Sequence, residues 1–336
     1  MRINKTFIRT SQNYGLNDFE VPDNTFNGIT DKKNYVKDEN LPKYPLCDAC
    51  LSQLKNCGES IEISLDGKEK ITTLNIKEDF ICKAIKITAE ENVDAKVVIT
   101  FENNLKAFNN SYINFICKKN SKVEVVILTS FEKTSTNFLT IENDLDENSK
   151  ISVIYTDFSC DYSVLRYISN LYKDNCQSYF KNLYIGKDEN KIDINISKNV
   201  YGKNCKCDIQ TIGALFDKAS KSYKGLIDFK KGCKGSVGDE KELALTFSKQ
   251  TKSKALPLLL SSEDDVKGSH SSATGKINEQ MLFYVMSRGL TRKQAVLLLL
   301  KAKMATIIDE IFDDKLKRVI SKELERRINY ENWQSL

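Results

Sequence analysis

The chain carries one histidine, His270, and ten cysteines, and these bound the chemistry it could do. A Ser-His-Asp or Cys-His pair would have to be built on His270, with no evident nucleophile set beside it. The other chemistry open to His270 is metal ligation, because neutral imidazole binds iron or zinc at near-neutral pH. The plainer reading is a histidine in a surface loop, hydrogen-bonded to its neighbours. Cys47-x-x-Cys50, with Cys57 beyond, is the one metal-like cysteine spacing. Zinc takes four ligands, and nothing nearby completes the set. As a thioredoxin-type redox motif it lacks the preceding buried strand and following helix of a βαβ pattern. Cys205 and Cys207 alternate within a strand and face one side; with Cys82, Cys117, Cys160 and Cys176 they read as small buried hydrophobes. Asp264-Asp265 could hold a cation but reads better as a solvated turn. No GxxxxGK[ST] loop or GxGxxG element occurs, so ATP or NAD is not expected to bind by those devices.

The elements that must position these residues fall into three parts. Residues 1–58 read as an irregular N-terminal arm, with three of the four prolines and, near Cys47 to Lys55, short turns or a helix. Residues 59–275 hold short segments rich in Ile, Val, Phe and Tyr, bounded by Asn, Asp, Gly, Ser or Lys. Ile61–Leu65, Ile81–Thr88, Lys96–Phe101, Tyr112–Cys117, Val123–Thr129, Ile151–Thr156, Ile192–Ile196 and Ile209–Leu215 are the clearest. Lys191 to Ser197 alternates strictly, with its isoleucines on one face. Strands at roughly 8-to-12-residue spacing fit a sandwich, a barrel or a β-helix. The absence of an exact internal repeat weighs against the last.

Residues 276–336 read as a helical subdomain. His270 is expected in a polar turn just before it. Asn278 can cap a first helix carrying Met281, Leu282, Val285 and Met286, and Gly289 can end it in a left-handed conformation. Thr291 with Gln294 makes a capping box for a second helix, apolar on all sides from Ala295 to Leu300. Asp313 or Asp314 can cap a third, with Leu316, Val319, Ile320, Leu324 and Ile328 in one stripe.

Composition excludes several classes. The net charge of +5 is spread along 336 residues, with no basic block interleaved with aromatics, so nucleic acid is not an expected partner. No apolar run approaches the roughly 20 residues of a membrane span. The first fifteen residues lack the apolar core of a secretory signal. Ten cysteines without such a signal point to reduced thiols and a cytoplasmic location.

Thirteen positions over 27 residues carry a family likeness: Asp264, Asp265, Val266, His270, Gly275, Ile277, Leu282, Phe283, Tyr284, Ser287, Arg288, Gly289 and Leu290. In this order and spacing they resemble the SufB/SufD family, the scaffold subunits of the SUF iron–sulfur cluster assembly machine. The likeness extends more loosely to Ser222-Tyr223-Lys224-Gly225-Leu226 and on to the C-terminus, and is faint before about residue 60. It implies a right-handed parallel β-helix core followed by helices, and a larger helical segment before the core that is here cut down. It also implies a non-catalytic scaffold that pairs with a SufB-like subunit and docks a SufC-like ABC-type ATPase. Carried over residue by residue, His270 lies at the cluster-assembly interface and is a candidate metal ligand. Tyr284, Ser287, Arg288, Gly289 and Leu290 begin the ATPase-docking region. No tightly bound cofactor is implied, only transient iron or an iron–sulfur cluster at the interface with the partner scaffold.

Two departures from the B-type pattern make the chain resemble the D-type subunit. The residue after the histidine is Ser271 rather than glutamate, and no cysteine occurs from Ser236 to Pro257. Gly268 stands where some D-type proteins place a cysteine. The other functions weighed are a β-helix enzyme acting on polysaccharides, disfavoured by the missing secretory signal, and a free-standing homodimeric β-helix protein.

Overall fold

The computed structural model describes residues 1–6, 15–22, 25, 36–67, 71–103, 105–132, 134–158 and 161–328. Cys160 and the side chain of Cys57 lie outside the described residues. The strands are β1 (Glu59–Leu65), β2 (Thr72–Ile76), β3 (Phe80–Ala89), β4 (Asp94–Asn103), β5 (Phe108–Cys117), β6 (Lys122–Phe131), β7 (Thr136–Leu145) and β8 (Lys150–Asp157). They continue as β9 (Tyr162–Leu171), β10 (Gln177–Gly186), β11 (Lys191–Val200), β12 (Lys206–Leu215), β13 (Ser220–Phe229), β14 (Ser236–Thr246), β15 (Lys252–Ser261) and β16 (Val266–Gly275).

Consecutive strands do not pair with each other. Odd-numbered strands form one eight-stranded sheet in chain order, and even-numbered strands form a second. Pairing is parallel throughout, as in β9 with β11 and β12 with β14. The chain therefore winds as a parallel β-helix, two strands to a coil. All eight segments singled out above lie within strands.

Alternation decides what fills the bore. Ile192, Ile194 and Ile196 of β11 point inward and are buried, with Leu165 and Tyr167 of β9 in register beside Ile194 and Ile196. Fully burying such a side chain contributes about 1.5–3 kcal/mol, and each coil supplies several. Cys207 of β12 and Cys205, which lies in the turn one residue ahead of that strand rather than within it, are both in this inner core.

The corners carry a repeat. Asn92, Asn120, Asn148, Asn175 and Asn204 all adopt positive φ at equivalent turns, and Gly235 continues the row. Asparagine tolerates this left-handed conformation better than other side chains bearing a Cβ. Stacked coils then let their amides bond in a ladder: Asn120 Nδ2 donates to Asn92 Oδ1 (2.8 Å), Asn148 to Asn120 (3.0 Å) and Asn175 to Asn148 (2.9 Å). The spacing along the chain is 28, 28 and 27 residues. A repeat is therefore present after all. It lies in turn residues rather than in the variable strands.

Both outer faces are covered. Three helices, α2 (Glu279–Ser287), α3 (Arg292–Ile308) and α4 (Asp314–Ile328), follow the solenoid and pack on the even sheet. Leu282, Leu300, Met304 and Ile320 there meet outward residues such as Val126, Leu183 and Ile212. The expected caps form. Asn278 accepts from the amides of Gln280 and Met281, Thr291 and Gln294 complete a capping box, and Asp313 accepts from Lys315 and Leu316. Gly289 has φ 95°. Val319 departs from the expected stripe: it is 45% exposed, while Leu316, Ile320, Leu324 and Ile328 are buried. Residues at i, i+4 and i+8 already fill the narrow contact, so the i+3 position swings to solvent. Among the described residues, no helix is long and apolar enough to cross a membrane.

The odd sheet is covered by the N-terminal arm and by α1 (Asp48–Cys57). This helix corrects the expectation that Cys47-x-x-Cys50 lacks a following helix, since it starts directly after Cys47. Packing on the sheet stabilises a segment whose own helical signal is weak: Leu54 is buried with Ala84 and Tyr112. Asn4 locks the arm down. Its amide donates to Asp193 Oδ2 (2.6 Å) and to the Leu165 carbonyl (3.1 Å), and its side-chain oxygen accepts from Arg166 (3.0 Å). Lys224 closes the cluster at 2.8 Å from Asp193.

Candidate functional site

His270 does not sit in a turn. It lies in the middle of β16, the last strand of the even sheet, in register with Glu240 of β14. The strand reads as polar because, among the described residues, no further coil covers it, so the apolar alternation that announces a strand is missing. The turn lies earlier, between β15 and β16, where Asp264 and Asp265 are exposed. The Asp265 carbonyl accepts from the Gly235 amide there.

Alternation along β16 sends Gly268, His270, Ser272 and Thr274 to the bore side. Thr274 meets Ser253 of β15 across the bore, hydroxyl to hydroxyl at 3.1 Å, and Ser272 donates to buried Glu242 at 2.6 Å. His270 is thus an inward residue left exposed at the open end of the solenoid. Beneath it the bore turns polar. Lys221 and Glu242 pair at 2.7 Å with neither side chain exposed. Tyr223 donates to Glu240 Oε1 at 2.8 Å, and the Glu240 side chain is buried. Burial pushes the Glu240 carboxyl up to about 7, against the lowering pull of the Tyr223 hydroxyl.

Gly225 makes this arrangement fit, since a Cβ there would lie 1.7 Å from Glu240 Oε1. Thus Ser222 to Leu226 has two faces. Tyr223 and Gly225 seat Glu240 inside, and Lys224 holds the arm outside.

Glu240 is the residue that sequence reasoning missed. Its signal is the 30-residue return from Glu242 to Ser272, one coil of the solenoid, which places Glu240 under His270. Chemically, an exposed imidazole and a buried carboxylate can offer one nitrogen and one oxygen to a metal. Among the described residues, no group of three or more His, Cys, Asp or Glu side chains is placed to hold an ion. A metal bound here would need ligands from another molecule.

The second region starts at α2. Tyr284 is 55% exposed; the Arg288 guanidinium lies 5.2 Å from its ring centroid and donates to its hydroxyl at 3.1 Å. Ser287 Oγ donates to the Tyr284 carbonyl, Gly289 makes the turn, and Leu290 packs against the helical core. Phe283 (74% exposed) and Met281 stand beside them, so α2 presents an apolar surface framed by a cation. Among the described residues, the strands β15 and β16 also leave their outer edges unpaired.

A family model described as "SUF system FeS cluster assembly, SufBD core domain" matches residues 72–303, well over half of the chain. The chain belongs to the SufBD family. Curated SufBD relatives agree. The iron–sulfur cluster assembly protein SufD of Bacillus subtilis is 26% identical over 160 residues, 48% of this chain and 37% of that protein. SufD of Escherichia coli is 27% identical over 112 residues, 33% of this chain and 26% of its relative. The SufBD family protein Mb1496 of Mycobacterium bovis is 34% identical over 107 residues, 31% and 13% of the two chains. In each case the match spans well under half of the relative's length. The SufBD match runs from the start of β2 into α3, and so includes His270, Glu240 and Tyr284 while leaving out the arm and α1.

Proposed function

We propose that this chain is a non-catalytic SUF scaffold subunit that works from its open solenoid end. The observation that carries this reading is the last coil. Two ten-residue edge strands end there with no covering element among the described residues, and the chain's sole histidine lies on the second of them. Uncovered edges of this length are ordinarily paired or capped. A SufB-like scaffold docking on β15 and β16 would supply that cover and bring its own ligands to His270. Iron and sulfide are then the cargo: one nitrogen from His270 and the partner's groups hold them transiently, in a reducing cytoplasm.

The exposed apolar face of α2, with Tyr284, Ser287, Arg288, Gly289 and Leu290, suits docking of a SufC-like ATPase. Dimerisation of two such ATPases on ATP binding would pull on both scaffolds and open the shared end.

Co-expression with the SufB-like and SufC-like proteins of the same source, followed by sizing, tests the assembly. A stable complex of all three is expected. His270→Ala should leave that complex intact and lower cluster formation by roughly tenfold or more, the scale of losing a metal-site contact. Normal cluster formation in the mutant would remove His270 from the ligand set. Self-association of the isolated chain, without either partner binding, would support the homodimer instead.

A further inference from the structure

Outside the SufBD match, at the start of α1, the structure places two thiols together. Cys47 is the N-cap residue, and its sulfur lies 3.2 Å from that of Cys50. The Cys50 amide donates to Cys47 Sγ at 3.3 Å, so the helix start points a backbone N–H at this sulfur. The two thiols differ in access. Cys47 is half-buried and reachable from solvent, whereas Cys50 is 2% exposed, packed with Leu46 and Phe138.

The surroundings favour charge on the outer sulfur. Arg166 of β9 reaches over from the sheet, donating to the Tyr44 and Pro45 carbonyls, and interacts electrostatically with both cysteines. Asp48 on the helix and Glu142 of β7, which accepts from the Tyr44 amide, are the acidic groups facing this region. The Cys50 thiol and the backbone amides hold Cys47 down to about 7, while burial pushes Cys50 well up.

We propose that Cys47 and Cys50 form a redox-active dithiol, with Cys47 the attacking thiolate toward a low-molecular-weight disulfide and Cys50 the resolving thiol. Cys47 Sγ attacks one sulfur of RS–SR, forming a mixed disulfide as the RS–SR bond breaks and the first thiolate leaves. Cys50 then loses its proton and attacks Cys47 Sγ, displacing the second thiolate and closing the Cys47–Cys50 disulfide. Two electrons pass from the dithiol to the small disulfide, and the two thiol protons finish on the two RSH products. The helix-start position and the graded access are what this two-step exchange requires.

The test uses the full chain, with oxidised glutathione as the probe and a chelator present, followed by acid quench, alkylation and mass analysis. The tryptic peptide 44–55 holds both cysteines. It is expected to lose two hydrogens and both alkylatable thiols. Cys50→Ser should stop at the glutathione adduct on Cys47, and Cys47→Ser should leave Cys50 unmodified over the same time. In the unmutated chain, alkylation of Cys47 should titrate with a midpoint near 7 and run roughly fivefold faster at pH 7 than an ordinary thiol. A peptide that stays dithiol, an adduct appearing first on Cys50, or a Cys47 midpoint above roughly 8.5 would each overturn the assignment.

Discussion

Glu240 has an unusual setting for a carboxylate. It is fully buried beside His270 and accepts a hydrogen bond from Tyr223. A folded-state value of about 7 lies above the ordinary glutamate value of 4.5, so the fold binds a proton that the unfolded chain has released between these limits. Stability from this group is therefore intact below pH 4.5, declines as the pH rises, and is fully lost above about 7. Glu240→Gln keeps the acceptor for Tyr223 and removes the charge. It should raise unfolding free energy at pH 8 by up to about 3 kcal/mol, the gain vanishing near pH 4.5, as followed by urea denaturation across pH. An equal gain at both pH values would show that the Glu240 carboxyl binds its proton no more tightly in the fold than in the unfolded chain.

At the level of elements, the corner ladder ties successive coils together. Asn148 is its middle rung, giving one amide bond to Asn120 and taking one from Asn175. Asn148→Ala removes both bonds and places a Cβ-bearing residue with no local hydrogen bonding at φ 58°. The left-handed conformation costs roughly 1–2 kcal/mol, and each exposed bond adds roughly 0.5–1 kcal/mol. A loss of about 2–4 kcal/mol is expected in a thermal or urea melt, with Asn148→Gly recovering the conformational part. Equal losses for the alanine and glycine variants would show that the bonds, not the backbone, set the corner. The ladder explains how coils of such variable strand sequence keep register: one turn residue per coil aligns on the one before it.

For the whole molecule, the N-terminal arm and the C-terminal helices cover opposite sheets by different means. The helices bury an apolar layer. The arm is pinned by ions and amides, where Arg166, Asp193 and Lys224 surround buried Asn4. Burial pushes the Asp193 carboxyl up despite Lys224 and Asn4, so the cluster gives the arm one defined seat more than it gives net stability. Asp193→Ala strands Lys224 without its carboxylate. It should cost about 3–5 kcal/mol and expose the arm to limited proteolysis before the solenoid is cut. Proteolysis at an unchanged rate would mean the arm is held by its apolar contacts, Ile3, Val21 and Leu46, instead.

The eight clearest strands, the helix caps and the family were determined by the sequence alone, because each is written in local signals. Ile192 to Ile196 alternates with period two, Thr291 and Gln294 cap across three residues, and the thirteen-position stretch around His270 reads without a partner. Tertiary structure decided the rest, because a parallel coil pairs residues some 28 apart, a distance at which period two names a face but no neighbour. The asparagines at Asn92, Asn120, Asn148, Asn175 and Asn204 were the readable trace of that spacing, diluted among many other asparagines. Only closure of the coils set Glu240 under His270, and only docking on the odd sheet turned the weak signal after Cys47 into a helix that brings two sulfurs together.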